Sequence, residues 1–357
     1  MEAAIFGVPT VASPTRTFRE AIDHGVNGFL ADSQDNWYEA LHQLVSSQEL
    51  RLKIGQEART RSLKQFDSSV TRDRLETFLK DLRIADRSSP GNHQRPRILS
   101  VNLFYAPQRY GGATIILEQL LQRTKDQFTH AVFALQPRSD VAAYFCTKSD
   151  QDGILTYGIS FDPDQLGRYD IFHPALEEPF KRVLAEFQPD IVHVHALQSM
   201  GIPLLGLAKA SGAKVIVTAH DAWWVCARQF MAQKDGTFCG QTRVDLNKCG
   251  QCTGKPAETW TRSLDLLTAM ENVDLVLAPS AYHENFLRLN LPANVPILVH
   301  KNGVAPKKKT QNISPGQSKI LRFAFIGGIG ATHKGYYLVK SAFESLKRDD
   351  WELTLID

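Results

Sequence analysis

From Arg97 to His300 the sequence repeats one pattern: a short apolar run, then, in most intervals, ten or more residues with helical spacing. The runs are RILSVNLF (97–104), HAVFAL (130–135), GILTY (153–157), DIVHVH (190–195), AKVIVTA (213–219), DLVLAP (274–279) and PILVH (296–300). A run without polar alternation has both faces buried, and strands joined by helical crossovers lie parallel. The pattern therefore predicts an α/β domain: a parallel sheet with helices on both faces. Gly112–Thr124 and Glu178–Phe187 read as two of its crossover helices, and Cys146 as a packing residue on a helix.

Both flanks of this block carry the same kind of element. At the front, MEAAIFGVPTVAS reads as the last turn of a helix, a stop at Gly7 and a short buried strand. NGFLA (27–31) gives another strand. Ser33 or Asp35 then caps a helix with Trp37, Leu41, Leu44 and Val45 on one face, and a further helix carries Leu50, Ile54, Ala58, Leu63 and Phe66. At the back, LRFAFIG (321–327), a helix from about Gly335 and ELTLI (352–356) make one βαβ unit. ADRSSPGNHQRP before Arg97 and GVAPKKKTQNISPGQS after it lack apolar periodicity and read as linkers. A single helical turn cannot nucleate alone and a lone strand needs neighbours, so the opening is expected to be the interior of a domain.

Forty-one basic and 38 acidic residues leave a net charge of +3, too balanced to imply a polyanion-binding surface, and no nucleic-acid partner is expected. No apolar stretch is long enough to span a membrane, and the start lacks a basic segment followed by an apolar core. Four of the five cysteines crowd into residues 226–252, which suits a reducing compartment and a local site better than a disulfide framework.

Chemistry-bearing residues gather where strands end. Gly111-Gly112 opens one helix and Gly328, with Lys334, stands before another. Paired glycines let backbone N–H groups approach an anion at a helix N-terminus, though tight turns use them for geometry alone. His193, His195 and His220-Asp221 close two successive strands, the ligand-binding edge of an open parallel sheet, where a histidine either bonds a sugar or phosphate or merely closes a loop. Cys226, Cys239, Cys249 and Cys252 follow a C-x12-C-x9-C-x2-C spacing that fits a structural Zn²⁺, an iron–sulfur cluster or four free thiols. Trp223 and Trp224 read as a sugar-stacking surface or as core.

Taken together, GVPTVASPTRTFREAIDHGVNGFLA resembles a signature in the C-terminal domain of family-four glycosyltransferases, with Glu2, Gly7, Pro9, Glu20, Gly25 and Gly28 in its places and His24 where an Asp is usual. YAPQRYGGAT, FQPDIVHVHAL, VTAHDAWWVC, LAPSAYHENFL and KNGV resemble the N-terminal domain of such an enzyme, a subset of which carries a similar cysteine-rich insertion. LRFAFIGGIGATHKGYYLVKSAF resembles the first unit of its C-terminal domain. The resemblance implies the GT-B fold of Rossmann-like domains, incomplete at both ends here. Residues 1–84 would be the rear half of one donor-binding domain, 85–96 a linker, 97–305 the acceptor-side domain of a second module, 306–318 a linker, and 319–357 the start of that module's donor-binding domain. A tandem protein follows from this, with a circular permutation as the alternative; in the tandem reading Glu2 and Lys334 belong to different modules, and the chain as given is expected to be an inactive fragment.

The implied reaction is sugar transfer, with retention, from a nucleotide-diphosphate sugar to a glycan or lipid-linked acceptor, without a catalytic cofactor. His220 would be catalytic, orienting the sugar and stabilising charge. Gly111, Gly112, Gly328, Lys334, Glu2 and Glu20 would hold the donor, with Glu2 on the ribose, and His195, Asp221 and Trp223 would face sugar or acceptor. The family's usual arginine before the lysine is replaced by GGIGA, which weakens the phosphate grip. A cytoplasmic enzyme is expected, and the helix from Glu178 to Phe187, with Lys181-Arg182 beside apolar residues, reads either as a contact with the inner membrane surface or as an ordinary solvated helix. An epimerase of the same fold and a degenerate sugar- or nucleotide-binding module are the alternatives.

Overall fold

The computed structural model describes residues 2–66, 95–165, 171–303, 320–327, 334–346 and 350–356, with single positions at 73, 77 and 348. The front segment comprises α1 (Glu2–Ile5), β1 (Val11–Ala12), α2 (Arg16–Ala21), β2 (Phe29–Leu30), α3 (Gln34–Ser46) and α4 (Gln48–Phe66). The central block runs β3 (Arg97–Asn102), α5 (Gly111–Thr124), β4 (Thr129–Pro137), β5 (Cys146–Gln151), β6 (Ile154–Phe161), α6 (Glu177–Phe187), β7 (Ile191–Val194), α7 (Pro203–Ala210) and β8 (Lys214–Thr218). It continues through α8 (Leu246–Thr253), α9 (Pro256–Met270), β9 (Leu275–Ala278), α10 (Ala281–Arg288) and β10 (Ile297–Val299). The final segment holds β11 (Leu321–Ile326), α11 (Tyr336–Ser345) and β12 (Trp351–Ile356). The chain divides into two compact units.

The larger unit is the expected parallel sheet. Eight strands stand in the order β10-β9-β8-β7-β3-β4-β6-β5, with every neighbouring pair parallel except β5 and β6. The chain winds outward from β3 through β4 to β6, then returns to the other side of β3 and winds outward through β7 to β10. A doubly wound sheet of this kind has its crevice where the winding reverses, here at the C-terminal ends of β3 and β7. Leu99, Val101, Phe133, Val192, Val215 and Val217 are fully buried, as strands covered on both faces require. Burial of each such side chain is worth about 1.5–3 kcal/mol.

The edge strand β5 corrects the expectation for Cys146, which opens a strand rather than sitting on a helix. Residues 146–151 pair antiparallel with β6 through a two-residue turn, Asp152-Gly153, whose φ values are 55° and 83°. Asp-Gly is the preferred pair for a turn with both φ values positive, so the local signal was present in the sequence.

The smaller unit gathers the described residues of 2–66 and 320–356, with 234–238. β1 pairs with β2, and β11 with β12, each in parallel. Ser33 caps α3 by accepting a hydrogen bond from the Asn36 amide, as its residue type predicts. Trp37 and Leu41 of α3 pack with Val339, Ala342 and Phe343 of α11, and the Phe343 ring meets Phe323 at 4.9 Å and Trp351 at 4.7 Å. The two segments that resemblance assigns to different modules thus share one core. The linkers fall mainly outside the described residues.

Candidate functional site

Three strand ends and one helix start bring five histidines into electrostatic range in the larger unit: His193 within β7 and His195 just after it, His220 after β8, His283 in α10 and His300 after β10. Each sits at the C-terminal side of the sheet because the strands run parallel. His195 is anchored by its own amide, which donates to the Val101 carbonyl at 2.8 Å.

His195 Nδ1 lies 3.1 Å from His220 Nε2. The two rings are nearly coplanar, 23° apart with centroids at 5.4 Å. The His193 ring lies tilted against His195, 40° apart with centroids at 4.1 Å, and its Nε2 shares a hydrogen bond of 2.8 Å with Thr218 Oγ1. Burial pushes the pKa of His220 down to about 4 and of His193 to about 3, and places His195 well below the ordinary range; the neighbouring histidines act in the same direction. His283 also falls to about 4 through burial, offset in part by backbone acceptors at Asp221 and Ala219. Near neutral pH these rings are uncharged hydrogen-bonding groups, not cations.

The glycine pair lies at the other side of the reversal point. Gly111 adopts φ +80°, a left-handed conformation that a side chain resists, and a Cβ at either Gly111 or Gly112 would meet open space. The approach to this helix is held by Asn102, whose Nδ2 donates to the Phe104 carbonyl at 2.7 Å and to Thr114 Oγ1 at 3.0 Å. Thr114 Oγ1 in turn donates to the Tyr110 carbonyl at 2.7 Å. Asn102, Thr114, His283 and His300 escaped the sequence reading. His300, the polar residue that closes the apolar run PILVH, was the one with a readable signal.

Asp221 and Trp223 are both held in place by neighbouring groups. One Asp221 oxygen accepts the Trp223 amide at 2.9 Å and the other accepts Gln229 Nε2 at 2.6 Å, while burial pushes the carboxyl pKa up. Trp223 is 3% exposed, with the Arg262 guanidinium 5.0 Å from its ring centre. The expectation of a sugar-facing Trp223 is therefore corrected: its faces are packed in the core. Cys226, Cys239, Cys249 and Cys252 are partly buried free thiols. Among the described residues no three histidine, cysteine or acidic side chains converge as a metal-ligand set, so the structure does not support the zinc reading.

The remaining donor-side residues belong to the smaller unit. Lys334 is exposed and its stem runs alongside Gly327, where a Cβ would sit 3.3 Å from the lysine side chain. It precedes Gly335, which starts α11 at φ +76°. Glu20 is exposed on α2, Glu2 lies in α1, and Gly328 lies outside the described residues. No helix among the described residues is long and apolar enough to cross a membrane.

Two family models match the chain: Glycosyltransferase Family 4 over residues 110–308, more than half of it, and Glycosyl transferases group 1 over residues 1–61. None of the curated proteins matches the sequence. Among solved structures, the chain is similar to one described as trehalose-6-phosphate from E. coli bound with UDP-2-fluoro glucose, with 12% identity, a TM-score of 0.38, and coverage of 65% of this chain and 56% of that one. It is also similar to sucrose-phosphate synthase from Thermosynechococcus elongatus, with 13% identity, a TM-score of 0.43, and coverage of 74% and 71%. An alpha,alpha-trehalose-phosphate synthase from Burkholderia xenovorans gives 13% identity, a TM-score of 0.40, and coverage of 64% and 57%. The chain spans little more than half the length of that E. coli protein.

Proposed function

The chain belongs to glycosyltransferase family 4, and from that premise we propose that it transfers a sugar from a nucleotide-diphosphate donor to a hydroxyl of a glycan or lipid-linked acceptor, with retention. The observation that carries this reading is His220, a neutral ring at the C-terminal edge of the sheet, braced from behind by His195 and beside the strand-order reversal where the Gly111-Gly112 turn stands. A neutral imidazole suits a sugar hydroxyl, for which it supplies one directed hydrogen bond without binding the diphosphate in its place. In the larger unit, backbone N–H groups at the start of α5 suit an anionic leaving group; in the smaller unit, the exposed Lys334 is the cation assigned to a phosphate. Glu20 and Glu2 complete the donor-side assignment, with Glu2 on the ribose. In this reading the chain's own residues stabilise the leaving group.

The test is turnover of a panel of radiolabelled nucleotide-diphosphate sugars with mixed glycan and lipid-linked acceptors. Label in a glycosylated acceptor is expected, and His220→Ala should lower that transfer on the order of 10²-fold with an unchanged circular dichroism spectrum. Binding without turnover would favour the binding-module reading, and free nucleotide with epimerised or hydrolysed sugar would favour the epimerase.

The shared core of α3 and α11 favours a second reading of the chain's organisation, in which residues 2–66 and 320–356 build one donor-side unit rather than parts of two modules. A double-mutant cycle on Trp37→Ala and Phe343→Ala in the full chain separates them. Coupling of about 0.5 kcal/mol or more supports the single unit, and additivity supports two modules.

A further inference from the structure

Two neutral imidazoles joined by one hydrogen bond can share it in two ways, and they leave different groups free. Each neutral ring has one N–H and one lone pair. If His195 donates from Nδ1 to His220 Nε2, the leftover atoms are a lone pair on His195 Nε2 and an N–H on His220 Nδ1. If His220 donates from Nε2 instead, His195 carries its N–H on Nε2 and His220 is left with a lone pair on Nδ1.

The burial of His195 distinguishes the two. Its side chain is 4% exposed, and Nε2 is a buried atom without a hydrogen-bond partner. Orphaned buried N–H groups are the rarer and costlier defect, whereas an acceptor with an unused lone pair is better tolerated. The neighbouring His193 ring, tilted against His195 at 4.1 Å, offers no relief, because its Nε2 is engaged with Thr218 Oγ1. The second arrangement strands a donor in this packing; the first strands only a lone pair. Burial independently keeps both rings neutral near pH 7, so neither nitrogen pair is doubly protonated.

We propose that His195 is a positioning residue that holds His220 in the Nδ1–H tautomer, so that the nitrogen His220 presents to a ligand is a hydrogen-bond donor aimed at a sugar oxygen. This rests on the reading of His220 as the sugar-facing residue and adds the polarity of the contact. A donor at that place binds a hydroxyl oxygen through its lone pairs, whereas an acceptor there would engage only the hydroxyl's own O–H. His195 reaches no substrate itself; it acts through the ring it orients, as the outer partner of a metal-bound histidine fixes that ring's tautomer.

The experiment is a long-range ¹H–¹⁵N correlation spectrum of the full chain labelled with ¹⁵N-histidine, with His220 assigned by its loss in His220→Ala. In the wild type, His220 is expected to show a protonated Nδ1 and an unprotonated Nε2. In His195→Leu it should shift to a mixture containing the Nε2–H form. In His195→Asn, whose amide nitrogen stands near the Nδ1 place, the wild-type pattern should return. Where transfer is measurable, His195→Leu should lower kcat roughly tenfold with a smaller change in KM, and His195→Asn should recover part of it. An Nε2–H pattern for His220 in the wild type overturns the proposal, as does an unchanged His220 pattern in His195→Leu. If His195→Leu does not fold, the wild-type spectrum and the His195→Asn spectrum decide the matter. The tautomer is read without turnover, so a chain that transfers no sugar refutes the functional reading and leaves this test standing.

Discussion

Acidification should unfold this protein through its buried histidines. Burial lowers the pKa of His130, His220 and His283 to about 4 and of His193 to about 3. In the unfolded chain each returns to about 6.5. Between those limits the unfolded state binds protons that the folded state refuses, so lowering the pH favours unfolding. Their stabilising effect is complete above about pH 6.5 and lost as pH falls toward the folded values. Each group contributes a slope of about 1.4 kcal/mol per pH unit once its unfolded form is fully charged. Four together remove roughly 7 kcal/mol between pH 7 and pH 5, a loss comparable with the whole stability of about 5–15 kcal/mol typical of a folded domain. The assay is urea unfolding followed by tryptophan fluorescence, since Trp223 and Trp224 are buried in the same unit. His130→Leu supplies the control. Its Nε2 meets Thr124 Oγ1 at 2.8 Å, but that hydroxyl also donates to the Leu120 carbonyl at 2.9 Å, so removing the ring leaves no orphaned donor. The variant should lose about a quarter of the pH effect. A wild-type change below about 2 kcal/mol over that range, what one histidine gives, would refute the reasoning.

Other substitutions test other parts of the fold. A Cβ at Gly55 would fall 1.9 Å from the Gly7 carbonyl, so Gly55→Ala should push α4 off α1 and cost about 1–3 kcal/mol, seen as a lower melting temperature without loss of the larger unit's fluorescence change. Asp245 caps α8 by accepting the amides of Asn247 and Lys248, and Asp245→Ala should cost about 1 kcal/mol in urea unfolding. Phe133 is fully buried against Phe180, their rings 5.0 Å apart, and Phe133→Ala should cost about 3–5 kcal/mol. His220→Ala should abolish most sugar transfer and, by leaving the buried His195 Nδ1–H without its acceptor, cost about 1–3 kcal/mol in urea unfolding.

How much was legible in the sequence depended on the range of the contacts involved. Strand and helix periods are set by a residue's immediate neighbours, so the apolar runs and their helical spacers determined a parallel, doubly wound sheet. They placed every strand of the larger unit except β5 close to where it stands. The cap at Ser33 and the helix ending at Phe187 were equally local. Parallel strands also put His193, His195 and His220 at one sheet edge by necessity, so the neighbourhood of the candidate site could be read before any coordinates.

The tertiary structure decided what depends on residues far apart in the chain. The bond between His195 and His220 joins residues on two different strand ends, and no spacing rule distinguishes a ring that faces ligand from one that braces it. The same holds for Trp223, whose aromatic character fits sugar stacking or core equally until Arg262, 39 positions away, closes over it. The four cysteines have a spacing compatible with metal binding, and only the fold brings Cys249 into electrostatic range of Cys226, Cys239 and Cys252, although among the described residues no three such side chains meet as a metal-ligand set. Likewise, only the meeting of Trp37 and Leu41 with Val339 and Phe343 shows that the two ends of the sequence bury their apolar faces against each other. A one-dimensional pattern specifies which faces are apolar; which partner covers them is settled by the free energy of packing the whole chain.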